Sequence, residues 1–365
     1  MNVIKGARDW RIYDADEWRI CEAHRIRDAH EGQTLNPHRI QDDDKGHMTM
    51  TKIALAFSIM PDSPLPTIIE WARAAEDAGF DGVFMTEANN DSLACSLGIG
   101  FNTRRVTLGT AITNIYLRHP NLLANEVAAL HELTGGRFIL GLGTGHREGN
   151  SALGIEMGGP ADPMKKMRET VATLRRMIEG GKTNPKVNGK TPLYLAGVSR
   201  PMVRLAGEIA DGVIFNFFPP ARIKEALGEI AEGAQKAGRK VAEIVPTMFA
   251  TAFISDDIDL ARKPARTLLS RYGALRFYGN MFAHAGFERE IEGIRAAAGD
   301  GKAAIAAVTD KMIDSTLLVG SEGRVRERLA ELAAPGIGWA IVFVNPVGED
   351  RASAMKRALR ALKPS

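Results

Sequence analysis

The chain is predicted to be an α/β protein built on a (β/α)8 TIM barrel with insertions. Eight short apolar runs recur from Lys52 onward, and helix-length segments separate each from the next. No Gly-rich dinucleotide fingerprint follows the first run, which counts against a doubly wound open sheet. Closure itself is assumed, with right-handed crossovers, because periodicity does not report it.

The first strand is Ile53–Phe57, an apolar run fit for a sheet covered on both faces. Pro64 and Pro66 suit a helix start, and the apolar stripe from Ile68 to Ala78 closes at Gly79. Val83–Met85 is the second strand, followed by a helix from about Asn90 to Thr103. Val106–Thr110 is the third strand, and the helix Leu122–Leu133 stops at Gly135-Gly136. Phe138–Gly141 is the fourth strand, and a Gly-rich stretch to Gly159 then interrupts the rhythm. A helix over Met164–Glu179 precedes a loop or small hairpin around Asn188-Gly189. Leu193–Leu195 and Gly212–Phe215 are strands five and six, each followed by a helix, Pro201–Ala210 and Pro220 to Gly238. Thr247–Ile254 is the seventh strand. A helical stretch over 256–313 is too long for one crossover. Gly338–Phe343 is the eighth strand, and a helix from Asp350 to Leu362 closes the chain.

Composition narrows the function. Of the 365 residues, 45% are hydrophobic and 25% charged, as in ordinary globular proteins. A net charge of +3 gives no electrostatic footprint for nucleic acid or membrane. No apolar stretch reaches the roughly 20 residues of a membrane helix. Cys21 and Cys95 cannot form a disulfide framework, which fits a cytoplasmic protein. Residues 1–47 read as a leader, tag or mis-called start, and 48–365 as the barrel domain. Asp42-Asp43-Asp44-Lys45 before Gly46-His47-Met48 resembles a protease site and cloning junction. The single Cys and scattered His of that leader lack the spacing of a zinc site, and no metal is expected.

In such a barrel the chemistry lies at the C-terminal ends of the strands. That rule selects Phe57-Ser58, Thr86-Glu87, Thr110–Asn114, Gly141–His146, Ala196–Arg200 and Asn216. Gly141-x-Gly143-x-Gly145 serves either a turn or a phosphate cradle. Gly197-Val198-Ser199-Arg200 is either an ordinary capped helix start or an anion site made of amides, a hydroxyl and a guanidinium. Glu87 is either a proton donor or a hydrogen-bonding organiser. Asn216 either bonds a ligand ring or serves a turn. Phe215, Phe217 and Phe218 wall a pocket or pack the core, His119 caps a helix or acts as an acid, and His131 is structural.

The run Leu108-Gly109-Thr110-Ala111-Ile112-Thr113-Asn114-Ile115-Tyr116-Leu117-Arg118-His119-Pro120 resembles the third-strand signature of luciferase-like flavin- or deazaflavin-dependent oxidoreductases. Leu130–Gly145 and Ala210–Asn216 resemble that family's next blocks, in the same order and spacing. Thr86-Glu87-Ala88-Asn89-Asn90 is most similar to methylene-tetrahydromethanopterin reductase-like members. The resemblance implies a bacterial-luciferase-like barrel that binds coenzyme F420 or FMN. It implies a bulge with a non-prolyl cis peptide at Ala111-Ile112, backing the cofactor ring. It assigns cofactor contacts to Thr110, Ala111, Ile112, Thr113 and Asn114, to Gly143, Thr144, Gly145 and His146, and to Gly197, Val198, Ser199 and Arg200. Glu87, Asn114 and His146 are the catalytic candidates. Many deazaflavin relatives carry Asp-His where this chain has Glu87-Ala88, so sugar-phosphate dehydrogenation is not expected. The implied reaction is hydride transfer between reduced F420 and a small organic substrate. The alternatives are an FMN monooxygenase fed by a separate flavin reductase, and a non-catalytic flavin-binding barrel. A homodimer is expected, with an F420 or flavin reductase as possible supplier of reduced cofactor.

Overall fold

The computed structural model describes residues 51–87, 90–159, 161–297 and 299–364. The leader expected over 1–47 lies outside them, as do Ala88 and Asn89 of the motif over 86–90. The strands are β1 Lys52–Phe57, β2 Gly82–Met85, β3 Thr107–Thr110, β4 Thr113-Asn114 and β5 Phe138–Gly143. They continue with β6 Leu193–Ala196, β7 Gly212–Asn216, β8 Val245–Ile254, β9 Leu318–Gly320 and β10 Trp339–Asn345. Eight of them close a parallel barrel in the order β10-β1-β2-β3-β5-β6-β7-β8, with β8 pairing back onto β10. These eight are the runs that the sequence marks as strands. Each lacks charge over the stretch that is covered on both faces, inward by the barrel core and outward by helices.

The helices are α1 Leu65–Asp77, α2 Ser92–Gly100, α3 Pro120–Leu133, α4 Arg147–Ala152, α5 Asp162–Ile178, α6 Arg200–Ile209 and α7 Pro220–Lys236. They continue with α8 Ile258–Ala274, α9 Arg276–Phe282, α10 Glu288–Ala296, α11 Gly301–Ala306, α12 Asp310–Thr316, α13 Glu322–Ala333 and α14 Arg351–Ala361. Their starts are chemically marked. Asp91 accepts from the amides of Leu93 and Ala94, Ser321 from that of Arg324, and Asp350 from that of Ser353.

Two details differ from the sequence reading. The helical stretch over 256–313 is broken into α8 to α12 by extended Leu275, by a wide turn at Ala283–Phe287 with Gly286 at φ +93°, and by the caps Asp300 and Thr309. The short β9 and the helix α13 fall between that stretch and the last strand, where the sequence reading places nothing. β9 takes the edge of β8 at Ala252–Ile254, beyond Phe249 where β7 stops. Of the loop or small hairpin read around Asn188-Gly189, the structure has the loop, without strands.

Alternation divides the core in two. Leu55, Val83, Met85, Leu140, Val213 and Phe215 face the helices, whereas Ala54, Ala56, Phe84, Ile139, Tyr194, Ile214, Trp339 and Ile341 fill the barrel. Inward glycines make room for the largest rings: a methyl on Gly109 would lie 2.2 Å from Phe84, and one on Gly212 would lie 2.7 Å from Tyr194. Phe84 and Trp339 meet edge to face at 5.7 Å. This plug closes the barrel from below. Ala111, Ile112, Phe249 and Phe343 pack against it, nearer the C-terminal strand ends.

Candidate active site

The third strand is interrupted by a bulge. Between the pairs Gly109–Ile139 and Thr113–Leu142, one strand advances four residues and its partner three. One extra residue on the β3–β4 side is therefore left without a partner on β5. The Thr110 hydroxyl repairs the ladder, donating to the Gly141 carbonyl at 2.9 Å and accepting from the Gly141 amide at 3.0 Å. The displaced residues are Ala111 and Ile112, and the peptide between them is cis. β5 accommodates the bulge through glycine. A methyl on Gly141 would sit 1.9 Å from the Thr110 carbonyl oxygen, and one on Gly143 would sit 2.5 Å from the Ile112 side chain.

A buried polar network anchors the far side of the bulge. The Glu87 side chain is only 3% exposed. One carboxylate oxygen accepts from the Asn114 amide at 2.7 Å. The other accepts from the Ser92 hydroxyl at 3.0 Å, the Ser92 amide at 3.3 Å and Arg118 Nη1 at 2.8 Å. Ser92 also meets the Thr113 hydroxyl at 2.9 Å. Arg118, 9% exposed, contacts Asp91 at 2.8 Å and Glu126 at 3.3 Å as well. Burial, against the pull of Arg118, and the nearby carboxylates of Asp91 and Glu87 push the Glu126 carboxyl above its ordinary range.

Asn114 is occupied on both sides of its amide. Its Nδ2 donates to Asn150 Oδ1 at 2.7 Å and its Oδ1 accepts from the Tyr116 amide at 3.1 Å. Asn150 Nδ2 in turn donates to the Thr144 carbonyl at 2.8 Å. The network thus ties the ends of β2 and β4 to α2 and α4. Ser92 and Asn150 escaped the sequence reading; each is a small polar residue whose partner lies in another element.

The remaining expected residues fall into two groups. Thr144, Gly145 and His146 form the lip leading into α4. His146 caps that helix, its Nδ1 accepting from the Gly149 amide at 3.0 Å while its side chain stays 49% exposed. His119 likewise caps α3, and His131 is held inside by Asn188 and Thr191. Gly197, Val198, Ser199 and Arg200 make the turn from β6 into α6. Ser199 occupies the cap position, but its hydroxyl makes no capping bond. The amides of Val198, Ser199 and Arg200 carry no hydrogen bond to another described residue. The Arg200 guanidinium is turned outward to Glu225, Glu229 and His284. The structure therefore brings the bulge, the Glu87 network and the lip together at one end of the barrel, with the open amide turn at the same end. It does not bring the Arg200 side chain to them.

An apolar shelf and an open run of amides at a helix start, at one end of a barrel, fit a planar ring carrying an anionic tail. This is the layout of a cofactor-binding barrel oxidoreductase. The family described as luciferase-like monooxygenase matches residues 45–338, and the chain belongs to it. It is similar to 5,10-methylenetetrahydromethanopterin reductase of Methanolobus tindarius, with 29% identity over 83% of this chain and 98% of that one. It is also similar to a putative coenzyme F420-dependent oxidoreductase of Mycobacterium tuberculosis, with 28% identity over 82% and 97%. Among solved structures, the coenzyme F420-dependent tetrahydromethanopterin reductase of Methanopyrus kandleri superposes with a TM-score of 0.68 at 25% identity, covering 85% of this chain and 98% of that one. The protein is an enzyme, an oxidoreductase of this family.

Proposed function

We propose that the protein transfers hydride between reduced coenzyme F420 and a small organic substrate. The observation that carries the reading is that the Ala111-Ile112 shelf and the open amides of Val198, Ser199 and Arg200 lie at the same end of the barrel. Those amides and the Ser199 hydroxyl, which makes no capping bond, suit a phosphate, reinforced by the α6 dipole. Ala111 and Ile112 suit one face of a tricyclic ring, and Thr110, Thr113 and Gly143 hold that shelf in place. When bound, F420 would supply a two-electron hydride carrier. The chain's own residues bind, orient and exclude water. Glu87 and Asn114, whose hydrogen bonds are already spent, act as positioning residues for the bulge. His146 Nε2 has no partner among the described residues and stands at the lip, where it would meet substrate together with Thr144 and Gly145. Arg200 steadies the phosphate turn through α7.

The family description as monooxygenases supports a second reading, with FMN, oxygen and a separate reductase. Anaerobic oxidation of reduced F420 by a panel of carbonyl, imine and methylene-pterin acceptors separates the two. Acceptor-dependent oxidation without oxygen is expected. Activity seen only with reduced FMN and oxygen would replace the hydride-transfer reading.

Residues 48–365 are proposed as the catalytic domain of a cytoplasmic homodimer. Among the described residues no helix is long and apolar enough to cross a membrane. On α3, Leu122 and Leu133 are 55% and 49% exposed. Eleven residues apart, they share one helix face and offer an apolar stripe to a second copy. Sedimentation should return twice the chain mass; a monomer at micromolar concentration would contradict it.

A further inference from the structure

β7 ends on a residue whose hydrogen bonding is half complete. Alternation along the strand turns Gly212, Ile214 and Asn216 toward the barrel interior and Val213 and Phe215 toward the helices. Asn216 therefore faces the mouth. Its Nδ2 donates to the Tyr278 hydroxyl at 3.2 Å, whereas its Oδ1 is buried without a donor among the described residues. Tyr278 lies on α9, 62 residues further along the chain. Its hydroxyl accepts from Asn216, and its own hydrogen has no acceptor among the described residues. Among the described residues, one unsatisfied acceptor and one unsatisfied donor thus stand side by side, an arrangement that buried polar groups rarely keep without a partner.

The pair is held rigidly. Phe217, the next residue, has φ +59°, a left-handed conformation that a bulky side chain adopts only where its surroundings enforce it. Its ring lies 4.7 Å from Tyr272 and 5.8 Å from Tyr278, and Tyr272 and Tyr278 lie 4.8 Å apart, all edge to face. This aromatic cluster joins the inserted helices α8 and α9 to the end of β7. Burial raises the ionisation of the Tyr278 hydroxyl well above its ordinary range, which keeps it a neutral donor at working pH.

We propose that Asn216 and Tyr278 together read a cyclic amide edge, with Asn216 Oδ1 accepting from the ring N–H and the Tyr278 hydroxyl donating to the adjacent carbonyl. The proposal rests on the reading that the mouth holds a ring cofactor and its substrate. Flavins, deazaflavins and pterins all present such an edge, so cofactor and substrate are two possible sources of one chemistry.

The test uses the full chain with Tyr278→Phe and Asn216→Leu, which removes the acceptor at nearly the same size, titrated with F420, with F420 methylated at the ring N3, and with FMN, and assayed with a 5,10-methylenetetrahydropterin. If the cofactor supplies the edge, each variant should weaken F420 binding about tenfold, the worth of one buried hydrogen bond. N3 methylation should then weaken binding to the native chain by a similar factor and add little to the Asn216→Leu loss. If the substrate supplies it, cofactor affinity stays level while the KM for the pterin rises about tenfold. Variants that only lower the melting temperature, with Kd and KM unchanged and the methylated cofactor bound normally, would overturn the pair as a recognition element. A native chain that binds F420 or FMN beside unaffected variants overturns the pair alone; a native chain that binds none of the ligands overturns the underlying reading with it.

Discussion

At the scale of single residues, Glu87 makes the most consequential contacts in the site. It accepts from two backbone amides, a hydroxyl and a guanidinium while nearly sealed from solvent. Glu87→Gln keeps the shape and removes the charge. Arg118 retains Asp91 and Glu126, so the cost should be about 1–3 kcal/mol rather than that of an orphaned buried ion. A positioning role predicts that thermal stability and F420 affinity fall together. A drop in kcat alone, with binding and melting temperature intact, would make Glu87 the proton donor. The sequence offered both roles, because the number of donors reaching a carboxylate depends on elements brought together only by the fold. Asn114 carries the same lesson: its position after the third strand was legible, but Asn150, the partner that consumes its amide, is 36 residues away. Tyr278 had no signal at all, since nothing in an inserted helix marks which strand end it will meet.

At the scale of elements, the bulge of the third strand depends on its neighbour. Gly141→Ala would drive a methyl into the Thr110 carbonyl, a backbone atom that cannot move aside without disturbing the ladder. We expect a loss of about 1–3 kcal/mol by differential scanning calorimetry, and loss of cofactor binding beyond that caused by instability. Unchanged binding would mean that the shelf is not what holds the ring. At the opposite end of the barrel, Asp211 accepts from the Leu193 amide and pairs with Arg175 and Lys190, tying β7 to β6 and α5. Burial acts to raise its carboxyl, but Arg175, the amide and Lys190 outweigh it and hold the group below its ordinary range. Asp211→Asn should cost about 2–4 kcal/mol at neutral pH. A depressed carboxylate stabilises above its unfolded pKa, near 3.9, and that stability is lost as pH falls through the folded value. The gap between native chain and variant should therefore be full near pH 7 and close below pH ~4. A gap independent of pH would assign the effect to packing. Element identity was legible wherever apolar period and caps agreed, as at α3 and α5. It failed over 256–313, where helix follows helix with breaks of a few residues, and at β9, whose three residues carry no periodicity.

At the scale of the whole molecule, eight strands and their intervening helices were readable because each barrel strand is covered on both faces and so is nearly continuously apolar. Closure was not readable, since the pairing of β8 with β10 joins residues about ninety positions apart. The closed barrel gathers loops from distant segments at one end, so a shelf from the third strand and an amide turn after β6 open on a common mouth. The central claim is that this mouth holds F420. The most direct measurement is a parallel absorbance and fluorescence titration of the folded protein with F420 and FMN at matched concentrations. The account predicts saturable binding of F420 that is at least tenfold tighter than that of FMN. Preferential binding of FMN would contradict it and point to oxygen-dependent chemistry.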